Sequence, residues 1–340
     1  MSFFIILIIL VTLGYTVFVG YNDSANAIAT SIATRAISHK TAVIITVLST
    51  IAAPLACYFL NSEFFVAETI GRTVRPDRLF SEQNENVVYA FLFAGVLGGF
   101  LWCLFSAKKK LPVSTSHSLM GGISGAGIAA FGIYELDWNS LFVKIILTSV
   151  AVPFAAFIAG YIIMTTVKKI AYKVPVSSDG IIKKLQALNV AVLSTSISIN
   201  NIQKPMGVMF LLFAATGQAK SDGVMFAIIA VSALALTVGA CFGGTRIIYT
   251  VGKKIYKIKP IHSFLAQTAV EMVIFAASGF GIPVSAGQAV SSTVMGVGAS
   301  DKFGGVNWSN SFRIFIFWVL TYPITLAVGA AIFLFLNLFL

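Results

Sequence analysis

Ten apolar stretches, with few charges inside them, decide what this chain can fold into. They fall at about residues 3–20, 40–60, 87–106, 118–132 and 140–167, and then at 185–215, 223–250, 261–281, 284–299 and 310–340. A membrane helix needs about 20 mostly apolar residues, so several of these stretches are long enough to tilt or break. A water-soluble alternative fails on surface chemistry. Only 10% of the 340 residues are charged, against roughly a quarter in ordinary soluble domains, and twelve acids with twenty-three bases cannot coat a core of this size. The expected fold class is an all-α polytopic membrane protein of about 10–12 membrane segments. The first twenty residues lack a basic leader and a small-residue cleavage site, so they read as a retained helix.

The net charge of +11 invites comparison with nucleic-acid binders, but the positions of the bases argue otherwise. Fourteen of them sit in four clusters: Arg35 with Lys40; Lys108 to Lys110; Lys168, Lys169, Lys173, Lys183 and Lys184; and Lys253, Lys254, Lys257 and Lys259. By the positive-inside rule these clusters orient the chain, with the basic ends cytoplasmic. The loop from Asn61 to Asn86 mixes Arg72, Arg75 and Arg78 with Glu63, Glu68, Asp77, Glu82 and Glu85, and is expected outside. Threading the segments in order then places both termini outside, most naturally in a plasma (inner) membrane. Lipid is an expected partner and nucleic acid is not. Cys57, Cys103 and Cys241 all lie in apolar runs and read as packing residues.

Two halves share marks in the same order. Asn22-Asp23 precedes Pro112-Val113-Ser114 by 90 residues, and Asn200-Asn201 precedes Pro283-Val284-Ser285 by 83. Glycines follow each Pro-Val-Ser: Gly121, Gly122, Gly125 and Gly127 in the first half, Gly287, Gly296 and Gly298 in the second. This divides the chain into a first repeat, 1–167, a basic linker, 168–184, and a second repeat, 185–340. Five segments per half give the repeats opposite orientation. Inverted repeats with interrupted helices, and a site near the midplane, characterise secondary transporters.

The polar motifs carry the chemistry. Gly20 to Ala27 (Gly-Tyr-Asn-Asp-Ser-Ala-Asn-Ala) is expected to interrupt the first apolar run, and an acid at membrane depth is a functional candidate by default. Its hard oxygens suit a sodium ion or a transferable proton. Pro112-Val113-Ser114-Thr115-Ser116-His117 offers a helix start whose N–H groups and hydroxyls can cradle an anion. His117 stands alone and reads as a structural hydrogen-bonder. Glu271, in an apolar run, is either a buried partner for a base or part of a proton or cation path. No phosphate-binding loop, dinucleotide fingerprint, metalloprotease motif or nucleophile elbow is present, so the chain reads as a non-enzyme whose work is driven by an ion gradient.

These motifs resemble the signatures of the inorganic phosphate transporter (PiT) family. Gly20 to Ala27 is similar to its G-x-N-D-x-A-N-A, and Pro112 to His117 to its P-V-S-T-T-H. Asn200 to Gly207 is similar to N-D-x-Q-K-x-M-G, and Gly281 to Ser285 to the opening of G-I-P-V-S-T-T-H. The resemblance implies a carrier that moves inorganic phosphate with sodium or protons by alternating access, often as a homodimer, with no cofactor beyond the coupling ion. It implies an anion site at Asp23, Ser114, Thr115, Ser116, Asn201 and Ser285, and sodium held near Asn22, Asp23, Asn26, Asn200 and Asn201.

The second half departs from the family pattern. Asn201 stands where the family has Asp, and Ala286-Gly287-Gln288 where it has Thr-Thr-His. Losing a carboxylate lowers the number of cations needed for neutrality. It also opens the alternative of a fully deprotonated oxyanion such as sulfate, which has no proton to give a carboxylate, or of an anion sensor that kept the fold. Lys204 could supply positive charge at the site or snorkel toward the cytoplasm.

Overall fold

The computed structural model describes residues 2–74, 85–109, 111–170, 179–216, 222–243 and 250–340. Lys110, Lys173, Arg75, Asp77, Arg78, Glu82 and the side chain of Lys253 lie outside the described residues, as do residues 171–178 of the linker.

The described residues are helical, with one isolated bridge, Val74 to Leu136. Eleven helices carry the fold: α1 Ser2–Ala33, α2 His39–Phe59, α3 Phe65–Gly71, α4 Glu85–Lys109, α5 Thr115–Phe131, α6 Trp138–Ile170, α7 Asp179–Ala215, α8 Asp222–Cys241, α9 Pro260–Gly279, α10 Ala286–Lys302 and α11 Trp308–Asn337. The short α3 aside, each helix takes up one of the ten apolar stretches. Seven helices (α1, α2, α4, α6, α8, α9 and α11) are long and apolar enough to cross a membrane. α5 and α10, with 17 residues each, span about 25 Å, short of a hydrocarbon core of about 30 Å. α7 is long enough but carries the polar Asn200 to Lys204 motif at mid-length.

The expectation of a break at Gly20 to Ala27 is corrected. α1 runs unbroken through it to Ala33, and the first segment is a longer helix than residues 3–20. Polar side chains there bond back to their own helix, Asn26 Nδ2 donating to the Asn22 carbonyl at 3.1 Å, so the ladder survives. α7 likewise passes through its own motif and Pro205. The interruptions fall instead at residues 111–114, between α4 and α5, and 280–285, between α9 and α10. Each pair forms a hairpin. Of the seventh stretch, α8 covers the part up to Cys241 and Thr250 opens a short π-helical turn, Thr250–Ile255; residues 244–249 lie outside the described ones.

The packing reads the same when the halves are exchanged. α5 packs on α11 as α10 packs on α6; α1 packs on α8 as α7 packs on α2; α4 packs on α11 and α9 on α6. Each hairpin therefore docks on the last helix of the opposite half, and the halves interlock. These contacts are backbone to backbone. A Cβ on Gly125 would collide with the Leu326 carbonyl of α11, and one on Gly296 with the Phe157 carbonyl of α6.

A further repeat, not evident from the four motifs, opens α6 and α11. Asp137 caps α6 by accepting from the Ser140 N–H, and Asn307 caps α11 by accepting from the Asn310 N–H. The next residue in each case is a tryptophan, and its indole donates to a carbonyl five residues back: Trp138 to Ile133 at 2.6 Å, Trp308 to Phe303 at 3.2 Å.

The apolar interior splits into two clusters. One gathers the early part of α1, the late part of α7, and α3, α4, α5 and α8. The other gathers the ends of α1 and α7 left over, with α6, α9 and α10. α1 and α7 pass from one cluster to the other at Asn22 to Asn26 and near Asn200. The polar motifs thus occupy the boundary between two dry cores.

Candidate functional site

Asp23 and Lys204 form the centre of this boundary. Asp23 is 1% exposed and Lys204 fully buried, which removes the snorkelling alternative for Lys204. Burial of either charge alone is costly, and the network shows how both are satisfied. Asp23 Oδ1 accepts from Asn22 Nδ2 at 2.7 Å, and Oδ2 accepts from the Thr115 hydroxyl at 3.2 Å. Lys204 Nζ lies 3.7 Å from Asp23 Oδ2, and donates to Asn201 Oδ1 at 2.6 Å and Thr115 Oγ1 at 3.3 Å. The ammonium has three N–H groups and three acceptors face it. Asn201 and Lys204 are three residues apart and share one face of α7.

α5 begins at this point. Ser114 caps it by accepting from the His117 N–H at 3.3 Å, and Tyr15 of α1 donates to the Thr115 carbonyl at 2.9 Å. The start of α10 lies alongside: the Ser116 hydroxyl donates to the Val284 carbonyl at 2.8 Å. Two helix N-termini therefore converge beside the Asp23–Lys204 pair. Such termini present free N–H groups and the positive end of the helix dipole, which favours anions.

Asn200 holds the second hairpin. Its Oδ1 accepts from the Val284 N–H at 3.1 Å, and its Nδ2 donates to Ser278 Oγ and the Ile282 carbonyl. Asn26 abuts α10, 3.3 Å from where a Cβ on Gly287 would sit. Ser285 is buried at the capping position of α10, but its side chain makes no capping bond. The structure thus gathers Asn22, Asp23, Thr115, Asn201 and Lys204 into one network. Ser116 and Asn200 join it through the second hairpin, and Ser114, Asn26 and Ser285 line its edges. His117 is buried and its ring reaches the backbone of Trp318, in keeping with a structural hydrogen-bonder. Among the described residues, Glu271 Oε1 is buried without a hydrogen-bond partner, and no buried base pairs with it.

Gln203 and Tyr15 were not singled out from sequence. Gln203 Oε1 accepts from the N–H groups of Val66 and Ala67 and so caps α3, whose own N-cap residue makes no side-chain bond. Only the spacing of Gln203 within the Asn200 to Lys204 motif hinted at a role. Next to Asn201, a cavity of about 10 Å³ is lined by Ser24, Thr46, Thr50, Ser194 and Ser198, room for one water-sized guest.

Interlocked halves, two opposed hairpins and a buried charged centre define the class: a polytopic helical membrane transporter. Residues 19–329 match the profile of the phosphate transporter family, and the chain belongs to that family. It is similar to a "Probable low-affinity inorganic phosphate transporter" of Bacillus subtilis, 32% identical over 98% of this chain and 97% of the relative. It is also similar to one of the same description from Mycobacterium tuberculosis, 31% identical over 97% of this chain and 77% of the relative. A solved structure described as "The sodium-dependent phosphate transporter" shares the fold, with a TM-score of 0.79, 22% identity and full coverage of both chains.

Proposed function

We propose that this protein is a sodium-coupled carrier of inorganic phosphate working by alternating access, with protons as the other candidate for the coupling ion. The observation that carries this reading is the convergence of the α5 and α10 N-termini on the Asp23–Lys204 pair. In the proposed site, Asp23, Ser114, Thr115, Ser116, Asn201 and Ser285 surround the anion. Asn22, Asp23, Asn26, Asn200 and Asn201 supply oxygens for sodium, of which Asn200 would first have to release part of its hold on the second hairpin. Hydroxyls and N–H groups donate to phosphate oxygens, while cations offset the charge that an anion brings next to a carboxylate.

The exchange symmetry of the packing supports reading 1–167 and 185–340 as inverted repeats joined by a cytoplasmic linker at 168–184. With Lys108, Lys109, Lys168, Lys169, Lys257 and Lys259 cytoplasmic, both termini lie outside a plasma (inner) membrane, and a homodimer is the proposed assembly. The cell-free test is uptake of radiolabelled phosphate into proteoliposomes, with and without an inward sodium gradient. Gradient-dependent uptake is expected; none, where a control carrier works, defeats the reading. The absence of a carboxylate at Asn201 favours sulfate as a second substrate to examine, and competition between the two anions separates them.

A further inference from the structure

We propose that Lys204 is a resident counter-ion that takes the place of one coupling cation, turning from Asp23 to the anion when substrate enters. This inference rests on the transport reading above. Asp23 and Lys204 are the charged members of the network, and with the amide of Asn201 beside them the empty site carries no net charge. The ammonium is fully buried and tethered at 2.6 Å to Asn201 on its own helix, so its charge stays with the protein through a transport cycle. A sodium ion in its place would leave with the substrate.

Charge balance gives the consequence. A buried site tolerates little net charge, so the cations that accompany phosphate must offset the anion plus whatever charge the empty site holds. With Asp23 already opposed, the incoming cations need match the phosphate alone. A carboxylate at position 201, or loss of the positive charge at 204, leaves the empty site one charge more negative and calls for one more cation. Lys204 can make the turn because its contact with Asp23 is the longest of its three, 3.7 Å against 2.6 and 3.3 Å. Thr115 bridges the two groups throughout, donating to one and accepting from the other.

The number of cations per phosphate is read in proteoliposomes at clamped membrane potential, from the sodium gradient at which net phosphate flux is zero. Asn201→Asp and Lys204→Gln are each expected to raise it by one, and Lys204→Arg to keep it while slowing uptake. An unchanged ratio in Asn201→Asp overturns the inference, as does an unchanged ratio in folded Lys204→Gln. Should Lys204→Gln fail to fold, Asn201→Asp decides, since it adds charge without removing a partner. If the unaltered protein moves no phosphate while a control carrier does, the transport reading falls. The counter-ion is then judged by the sodium dependence of phosphate-induced thermal stabilisation in detergent. One more sodium in the binding curves of the variants supports it; identical curves, or no response to phosphate, overturn it.

Discussion

The two hairpins share a backbone plan and divide the chemistry unequally. The first, α4–α5, starts its second arm with Ser114, Thr115 and Ser116 and meets the Asp23 carboxylate. The second, α9–α10, starts with Ser285, Ala286 and Gly287, and its closest amide on α7 is Asn200, used for holding the hairpin. The far end of the second hairpin carries a charged cluster of its own. Asp301 pairs with Lys168 of α6 at 2.8 Å, accepts from the Tyr256 phenol at 2.7 Å, and lies 3.4 Å from His262 Nε2. A repeat fixes where helices go through small residues and caps, and leaves side-chain chemistry free to differ between the copies. Here the charged centre forms where the first hairpin meets Asp23 of α1 and Lys204 of α7, and the second hairpin carries the fastening to α6.

The largest effect expected from breaking this inequality is at Asp23. Asp23→Asn keeps the shape and leaves Lys204 buried without an opposing charge. Breaking a buried pair by removing one partner costs about 3–5 kcal/mol, and no carboxylate in the second half replaces the one lost. Thermal unfolding should register the destabilisation, and proteoliposome uptake should lose its dependence on the cation gradient. Full gradient-dependent uptake by the variant would place the coupling chemistry elsewhere.

Next in size are the two close approaches that dock the hairpins. Gly125→Ala and Gly296→Ala each drive a Cβ into a carbonyl of the opposite half, and overpacking of this kind costs about 1–3 kcal/mol. Because the two contacts are equivalent by exchange of halves, their losses of thermal stability should be similar. Strongly unequal losses would show that the symmetry of the packing does not extend to its energetics.

Most of the helical plan was legible in the sequence, because apolar length is a local property and each of the ten stretches marks the place of one helix. What was misread is where the helices stop. Asn22, Asp23 and Asn26 looked like a break, since such side chains compete with a helix ladder in isolation. In the fold they bond to one another, to Thr115 and to Lys204, and the ladder continues. Lys204 was ambiguous because its partner Asp23 lies 181 positions away, although its i, i+3 spacing from Asn201 was a usable sign. The Asp137-Trp138 and Asn307-Trp308 pair was readable too: the two marks are 170 residues apart, and each tryptophan precedes a proline, Pro153 or Pro323, by 15. The Asp301 cluster was not readable, because its four side chains come from three separate segments.

That cluster gives the smallest effect and one with a definite pH signature. Burial alone would raise the Asp301 carboxyl, but the hydrogen bonds from Lys168 and Tyr256, together with the charges of His262 and Lys168, outweigh it and hold the group below its ordinary value. Burial, with the hydrogen bond to Asp301 and its charge, pushes the Tyr256 phenol up to about 12. The bond between them exists as a charge-assisted contact only while Asp301 is ionised and Tyr256 is protonated. A carboxyl depressed in the folded state stabilises above its unfolded value, near 3.9, and that contribution fades as pH falls through the folded value. A phenol raised in the folded state stabilises below its unfolded value, about 10, and that contribution fades as pH rises through about 12. Lys168 and His262 face the same carboxylate and remain in a Tyr256→Phe variant, so comparison of the two proteins isolates the phenol. Thermal unfolding should show the variant less stable by about 1 kcal/mol, by an amount that is level from about pH 5 to 9 and shrinks at both ends. A difference that persists unchanged into strong alkali would mean that Tyr256 contributes by packing and that its phenol is no part of the polar fastening of the second hairpin.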